Sequence, residues 1–152
     1  MGRIAAVALG SNLGDRRAHL DYAAARLRTL LGHLRLSAYY ETDPVGVDGP
    51  QTRYLNAAAA GETRLSARDL LDALLAIERD RGRERPYANA PRTLDLDLIL
   101  LGDLVVDEPG LTVPHPRFRE RRFVLEPLAE IAPDLRDPVS GLTVKALLHA
   151  LG

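Results

Sequence analysis

The sequence contains the segment Pro91-Arg92-Thr93-Leu94-Asp95-Leu96-Asp97-Leu98-Ile99-Leu100-Leu101, in which two carboxylates interrupt an aliphatic run. Six of the eight residues from Leu94 to Leu101 are aliphatic, which is typical of a strand covered on both faces. Alternation along a strand places Thr93, Asp95, Asp97 and Ile99 on one face, and Leu94, Leu96, Leu98 and Leu100 on the other.

Two aspartates on one face of a strand need an explanation, because Asp is depleted in strands. Their Cα atoms would lie roughly 7 Å apart, and buried carboxylates without partners would repel each other and lose hydration. Either they lie on a solvated face and pair with arginines such as Arg92, or they bind a hard divalent cation. Carboxylate oxygens suit Mg²⁺, which usually takes one or two carboxylates together with substrate phosphates.

Composition narrows the class of protein. The chain has 152 residues, 46% hydrophobic and 27% charged, which predicts one globular domain over residues 1–152. It has no cysteine, so disulfides and thiol chemistry are excluded. No apolar run is long enough for a membrane span, and the first residues do not resemble a signal peptide. We therefore expect a cytoplasmic protein that does not bind membranes.

The charge pattern favours a small anionic ligand over nucleic acid. The formal net charge is −1, which argues against broad binding to a phosphate backbone. Lys145 is the only lysine, and arginine forms two local clusters: Arg79, Arg81, Arg83, Arg85 and Arg92, then Arg117, Arg119, Arg121 and Arg122. The planar guanidinium matches phosphate oxygens, so a small polyphosphate is the predicted kind of ligand.

The order of elements predicts an α+β fold, a ferredoxin-like β-α-β-β-α-β sandwich with an added hairpin and C-terminal helices. The predicted strands are Ile4–Leu9, Leu34–Glu41, Tyr54–Ala60 and Leu94–Leu101, with the hairpin at Leu104–Val106. The predicted helices run from the Gly10–Asp15 turn to Gly32, from Ser66 to Gly82, over Val124–Ile131 and over Thr143–Leu151. We expect the helices to pack on one face of a single sheet.

Two loops are long for a compact domain, at residues 42–53 and 83–90, and loops of this length often bind ligands. The second loop should bring its arginines close to Asp95 and Asp97. Glu78 lies near the end of a predicted helix, where an anion is unfavourable, so pairing with a nearby arginine is the simplest expectation. His115 lies between two prolines, which favour an extended backbone and would hold its ring for a phosphate.

Several motifs occur together in one specific combination. Pro91–Asp97 is followed by Leu111-Thr112-Val113-Pro114-His115-Pro116, and the chain also contains Ala8-Leu9-Gly10-Ser11-Asn12-Leu13-Gly14, Tyr54-Leu55-Asn56-Ala57 and Pro127-Leu128-Ala129-Glu130-Ile131-Ala132-Pro133. This set resembles the 6-hydroxymethyl-7,8-dihydropterin pyrophosphokinase family of folate biosynthesis, over almost the whole chain.

The resemblance implies a reaction and its cofactor. The β- and γ-phosphoryl groups of ATP move together to the hydroxymethyl oxygen of 6-hydroxymethyl-7,8-dihydropterin, and AMP leaves. Two Mg²⁺ ions are implied, held by Asp95 and Asp97. The substrates are then two small molecules, with no nucleic-acid or membrane partner, and the enzyme is expected to be a monomer.

The resemblance also implies a role for individual residues. Arg83 and Arg92 match arginines that contact phosphate, and with Asp95 and Asp97 they form the implied catalytic set. The implied ATP-binding residues are Glu78, Arg85, Arg92, Leu98, Thr112, His115 and Arg121, with Leu98 and Thr112 beside adenine. The implied pterin-binding residues are Thr42, Val45, Tyr54, Asn56 and Phe123.

The chain departs from the family pattern at three positions. Asp43 follows Thr42 where relatives often have proline, and Pro116 follows His115 where an aromatic residue is common. Asn89 lies where many members have an aromatic residue that covers the pterin, and Tyr87 is the candidate substitute. These changes affect the expected contacts of the loops but not the aspartate pair.

Two other functions are compatible with parts of the pattern. A ferredoxin-like binding module for RNA or a small regulatory ligand would need exposed aromatics and a basic face. The chain has 5 Tyr, 2 Phe and no Trp, and that function leaves Asp95 and Asp97 unexplained. Another Mg²⁺-dependent phosphoryl or nucleotidyl transferase would share the aspartate pair, so Thr42, Tyr54 and Asn56 discriminate it from a pterin kinase.

Overall fold

The computed structural model describes residues 2–43, 53–82 and 93–152. Its strands are β1 (Arg3–Ser11), β2 (Gly32–Leu36), β3 (Tyr40–Thr42), β4 (Tyr54–Thr63), β5 (Asp95–Leu101), β6 (Val106–Glu108) and β7 (Leu111–Val113). Its α-helices are α1 (Arg16–Leu30), α2 (Ala67–Arg81), α3 (Arg122–Ile131) and α4 (Val144–Leu151), and a 3₁₀ helix spans Phe118–Glu120.

The main sheet is antiparallel and has the strand order β2-β4-β1-β5. β3, which follows β2 in the chain, also pairs with β4. When β2 and β3 are counted as one interrupted strand, the order of elements is β-α-β-β-α-β. The α+β class predicted from the sequence is therefore confirmed. β6 and β7 form a separate two-stranded sheet.

Helices cover both faces of the main sheet, not one face as expected. One core packs α1 and α2 against side chains that include Val7, Leu9 and Leu96. The second core packs α3 and α4 against the opposite face, which presents the small residues Ala6 and Ala8 of β1. The C-terminal helices are thus a structural layer of the fold and not an appendage to it.

The helix termini agree with the sequence pattern. α1 begins after Asp15, whose carboxylate accepts a hydrogen bond from the Ala18 amide at 3.1 Å. α2 begins after Ser66, whose hydroxyl accepts from the Asp69 amide at 3.1 Å, and it ends before Gly82. Side-chain capping satisfies amide groups that have no partner within the helix. Within the described residues, no helix combines the length and hydrophobicity that crossing a membrane requires.

The predicted strand Leu34–Glu41 is wrong as one element, because Ser37 interrupts it between β2 and β3. The Ser37 hydroxyl accepts from the Ala58 amide at 2.9 Å and donates to the Ala38 carbonyl at 2.7 Å. The Ala38 amide in turn donates to the Glu130 carboxylate. The Ser37 amide still donates to the Ala58 carbonyl at 2.9 Å, so a side-chain hydroxyl replaces only one of the two backbone bonds of this pair, as Ser commonly allows.

The hairpin is displaced from its predicted position at Leu104–Val106. After β5 the chain turns at Gly102, with φ +56°, and the hairpin forms between β6 and β7 around Gly110, with φ +76°. Positive φ angles favour glycine, and Gly110 belongs to a two-residue connection between the strands. The sequence contains turn signals at both glycines, so it did not indicate which turn closes the hairpin.

Two further expectations for the strands are wrong. Leu100 does not share a face with Leu96 and Leu98, because the register of β5 against β1 shifts between Ala6 and Val7 and turns Leu100 to the α3–α4 side. Such a bulge changes the facing of all later side chains. Gly10 belongs to β1 and not to the turn that follows it.

We expect Gly61→Ala to destabilise the fold by about 1–3 kcal/mol, because a β-carbon at this position overpacks the core. That atom would lie 2.8 Å from Leu31 Cβ and 3.0 Å from the Gly32 carbonyl oxygen. Urea unfolding measures the change. Gly32→Ala is the matched control, since its β-carbon would lie 3.8 Å or more from its neighbours; equal midpoints for the two variants would contradict the packing argument.

Candidate active site

A cavity of about 660 Å³ opens on the α3–α4 side of the sheet, where α3 begins. Its size lies in the range of sites for small-molecule ligands. Its lining comes from β1, β3–β5 and the segment around the start of α3: Ala8, Leu9, Gly10, Thr42, Asp43, Tyr54, Asn56, Asp95, Asp97, Arg117, Glu120, Arg121, Arg122, Phe123 and Val124.

The floor of the cavity is one row of residues across three strands. Gly10 of β1 lies opposite Asn56 of β4 on one side and opposite Asp95 of β5 on the other. Directly paired residues share a face of the sheet, and one hydrogen-bonded plus one non-hydrogen-bonded pair puts Asn56 and Asp95 about 10 Å apart at Cα. The strand register therefore leaves a gap between the Asn56 amide and the Asp95 carboxylate, and Gly10 forms its floor.

The β4 side of this gap carries neutral polar groups. Asn56 is buried, and its amide nitrogen donates to the Thr42 hydroxyl at 2.5 Å. A β-carbon on Gly10 would lie 3.2 Å from Asn56 Oδ1 and 3.9 Å from a ring carbon of Tyr54. Gly10 thus leaves the carbonyl end of the Asn56 side chain uncovered.

The β5 side carries the carboxylate pair. Asp95 and Asp97 are half-buried and both line the cavity, as the alternation predicted. Asp97 lies opposite Ala8, the next small residue along the same face of β1. No group of three or more His, Cys, Asp or Glu side chains with metal-binding geometry occurs in the described ranges. Two carboxylates facing a cavity are a donor set that fits Mg²⁺, which completes its coordination with waters and phosphates.

The opposite wall is formed by residues around the start of α3. Arg117, Arg121 and Arg122 line the cavity with Phe123. The Arg121 guanidinium lies over the Phe123 ring, 5.5 Å from its centroid, a cation–π contact that orients both side chains. Arginines and the carboxylates of β5 therefore line the same cavity, although the Arg122 guanidinium donates to Glu126 and to the Gly152 carbonyl.

His115 lies beside this group although it does not line the cavity itself. Its amide donates to the Ile99 carbonyl at 3.0 Å, which ties it to β5, and its Nδ1 accepts from the Arg117 amide at 3.1 Å. Burial, with repulsion from Arg121, lowers the pKa of His115 below 6.5 despite the attraction of Asp95. The ring is thus neutral near pH 7, with its proton on Nε2.

Three predicted site residues lie away from the cavity. The Glu78 carboxylate accepts a hydrogen bond from the Leu96 backbone amide at 2.6 Å. The Leu98 side chain is buried in the core with α1 and α2. Thr112 lies on β7, where its hydroxyl approaches Asp107 at 3.4 Å, and β7 packs beside β5.

Other expected site residues, Val45, Arg83, Arg85 and Arg92, lie outside the described residues, and so do Tyr87 and Asn89. Of the two remaining departures, Asp43 lines the cavity and accepts from Arg53 Nε at 2.9 Å. Pro116 is exposed.

Comparison with known proteins identifies the family of this chain. Residues 6–133 match the family described as 7,8-dihydro-6-hydroxymethylpterin-pyrophosphokinase (HPPK). The chain belongs to the HPPK family.

Individual HPPK relatives cover most of the chain. It is 46% identical over 134 residues to the 2-amino-4-hydroxy-6-hydroxymethyldihydropteridine pyrophosphokinase of Pseudomonas aeruginosa, which spans 87% of this chain and 82% of that protein. The enzyme of the same name from Bacillus subtilis is 44% identical over 133 residues, or 86% of this chain and 79% of that one.

Longer proteins contain the same unit. The folic acid synthesis protein fol1 of Schizosaccharomyces pombe is 36% identical over 98% of this chain, which corresponds to 20% of that protein. The solved wild-type HPPK-DHPS of Plasmodium falciparum matches with a TM-score of 0.77 over 99% of this chain and 45% of that one. The latter identity is 15%, so this likeness shows the fold alone.

Sequence reasoning missed the part of the cavity floor that β1 forms. It assigned Gly10 to a turn, and it did not select Ala8, Arg117 or Arg122 as lining residues. The alternation of small residues at Ala6, Ala8 and Gly10 was an available signal, since one strand face without bulk leaves room for a ligand.

We expect the imidazole of His115 to titrate below pH 6.5, because burial and repulsion from Arg121 disfavour its charged form. The unfolded chain then binds this proton more tightly. The neutral ring therefore contributes fully to stability above pH 6.5, and that contribution is lost as the pH falls. Proton NMR of the ring measures the midpoint. Arg121→Ala should raise it, and a midpoint at or above 6.5 in the parent protein would contradict the assignment.

Proposed function

We propose that this chain transfers pyrophosphate from ATP to the hydroxymethyl group of 6-hydroxymethyl-7,8-dihydropterin and releases AMP, a step of folate biosynthesis. Membership of the HPPK family supports this reaction. The observation that carries it is the row Asn56–Gly10–Asp95, which places an amide suited to a heterocycle beside a carboxylate suited to a metal. Residues 1–152 act as one pyrophosphokinase domain in this proposal.

The pterin occupies the β4 side of the cavity. Asn56 can accept from and donate to a flat heterocycle, and its bond to Thr42 orients the amide. Phe123 and Tyr54 supply aromatic surface for the ring. Val45, outside the described residues, completes the proposed pterin set.

ATP occupies the side of β5 and α3. Arg121 contacts its phosphates from the cavity wall, and neutral His115 can donate from Nε2. Leu98 and Thr112 meet adenine largely through their backbone groups, since the Leu98 side chain is buried in the core with α1 and α2. Glu78 reaches β5 from α2, at the Leu96 amide. The proposed set also includes Arg85, with Arg83 and Arg92 as the arginines that act on the transferring phosphates.

Asp95 and Asp97 would hold Mg²⁺, two ions by the family pattern. Bound Mg²⁺ neutralises phosphate charge and orients phosphate oxygens. The protein residues do the remaining work by positioning, as in phosphoryl transfer generally. The hydroxymethyl oxygen bonds to the β-phosphorus while the bond from that phosphorus to the α,β-bridging oxygen breaks, so AMP is the leaving group.

The experiment that tests this function measures AMP release from ATP and Mg²⁺, with and without the pterin. We expect AMP only when 6-hydroxymethyl-7,8-dihydropterin is present, because attack at the β-phosphorus leaves AMP. ADP as the product would indicate attack at the γ-phosphorus and a different kinase. AMP release at the same rate without the pterin would also contradict the proposal.

We expect Asp97→Ala to lower turnover by at least about 100-fold, because it removes one of the two proposed metal ligands. Folding should be retained, since Asp97 is only half-buried. Mg²⁺-dependent ATP binding by calorimetry, with circular dichroism for folding, separates the two effects. Glu108→Ala, on the distant hairpin, is the control for removing a carboxylate. Near-normal activity of Asp97→Ala would exclude the metal role.

A further inference from the structure

An ion pair outside the cavity holds the segment that carries His115 and Arg121. Arg119 Nε donates to Asp137 Oδ2 at 2.5 Å, and Arg119 Nη2 donates to Asp137 Oδ1 at 2.9 Å. This is the bidentate arrangement, which fixes direction as well as distance. Asp137 is fully buried, and neither residue is among those that line the cavity.

The Asp137 carboxylate is itself held in one orientation. It accepts from the Ser140 hydroxyl at 2.7 Å and from the Val139 amide at 3.0 Å. The Asp137 amide donates to the Leu142 carbonyl at 2.8 Å, which closes the loop. Burial would raise the pKa of Asp137, but the bonds from Arg119, Ser140 and Val139 outweigh it and hold that pKa well below its usual value. The carboxylate therefore stays charged.

Contacts on both sides of Arg119 connect it to His115 and to Arg121. It belongs to the 3₁₀ helix, and its guanidinium lies 4.8 Å from the ring centroid of the fully buried Phe118. The Phe118 amide donates to the His115 carbonyl at 3.4 Å, and the Arg121 amide donates to the Phe118 carbonyl at 3.2 Å. A shift of Arg119 would thus displace His115 and Arg121 together.

The ion pair between Arg119 and Asp137 does more than hold a loop against the 3₁₀ helix. Apolar side chains could join the same elements, and replacing a buried ion pair by them is often neutral for stability. The bidentate contact between the Arg119 guanidinium and the Asp137 carboxylate instead sets the rotation of the 3₁₀ helix. That rotation determines whether Arg121 lies over Phe123 and lines the cavity that Asp95 also lines.

We infer that Asp137 is a positioning residue for the nucleotide: acting through Arg119, it orients the 3₁₀ helix so that His115 and Arg121 meet the phosphates of ATP. The inference rests on the proposed function, because it takes these two residues as phosphate ligands. It adds two residues, Arg119 and Asp137, that do not contact the substrate.

The test is steady-state kinetics of Asp137→Asn and Arg119→Lys in the AMP-release assay. Asp137→Asn keeps the size of the side chain but removes its charge, and Arg119→Lys keeps the charge but removes the planar guanidinium that makes the contact bidentate. We expect KM for ATP to rise about tenfold, the equivalent of one lost charge-assisted hydrogen bond. KM for the pterin at saturating ATP should rise by less than about threefold, because Phe123 contacts Arg121 but Asn56 and Thr42 bind each other.

A mutant cycle shows whether the effect passes through His115 and Arg121. In a background that carries both His115→Ala and Arg121→Ala, Asp137→Asn should change KM for ATP by less than about threefold, because both contacts that it positions are already absent. An undiminished effect of Asp137→Asn in that background would mean that Asp137 acts elsewhere, and it would overturn the inference.

Two controls separate positioning from stability. Val144→Ala destabilises the same helical layer from the core without touching the ion pair, and Arg68→Ala breaks an exposed pair with Glu108 on the far hairpin. Both should leave KM for ATP unchanged in folded protein, as monitored by thermal unfolding. If Asp137→Asn does not fold, Arg119→Lys carries the same comparison.

The outcomes are distinct. An active parent enzyme whose Asp137→Asn and Arg119→Lys variants keep the parent KM for ATP overturns the inference alone. Equal increases in KM for both substrates, or losses that match the unfolded fraction, also overturn it in favour of a structural role. A parent protein that releases no AMP overturns the proposed function, and the inference falls with it.

Discussion

The register of β1 against its two neighbours is the constraint on which the site depends. Because Gly10 lies opposite both Asn56 and Asp95, a slip of one residue would turn one of these side chains into the opposite core. The small residues of β1 then determine the volume of the cavity, since α3 covers the sheet only from Arg122 onward. One strand therefore sets both the spacing between the amide and the carboxylates and the space in which substrates would meet.

The fold could be predicted where the chemistry is local. The alternation from Leu94 to Leu98 and the capping residues Asp15 and Ser66 depend on adjacent residues, and the structure agrees with the prediction at those positions. Ser37, Gly10 and Leu100 were misassigned because their placement depends on partners far along the chain. The amide of Ala58 meets the hydroxyl of Ser37, and the bulge against β1 turns Leu100. In the site, Asp95, Asp97 and Asn56 were selected, whereas the cavity floor requires the pairing of three strands.

Carboxylates and arginines both line the cavity, so it contains charges of both signs. The carboxylates of β5 and Arg121 line the same cavity, and the segment that carries Arg121 is held by the ion pair of Arg119 with the buried Asp137. A hydrogen bond to a carboxylate also holds the C-terminal end of α3. The Glu130 carboxylate accepts from the hydroxyl of Tyr40 on β3 and raises the pKa of that group to about 12. α3 thus connects the strand that carries Thr42 with the arginine wall.

The contact between Glu78 and Leu96 has a consequence beyond the site. β5 is the outermost strand of the main sheet, and unpaired groups along such an edge can recruit a strand from another molecule. Here the Leu96 amide is occupied by the Glu78 carboxylate, and the Ile99 carbonyl is occupied by the His115 amide. A second chain that aligned with β5 would find both groups taken. These two contacts therefore leave the edge of β5 less able to add a strand from another molecule.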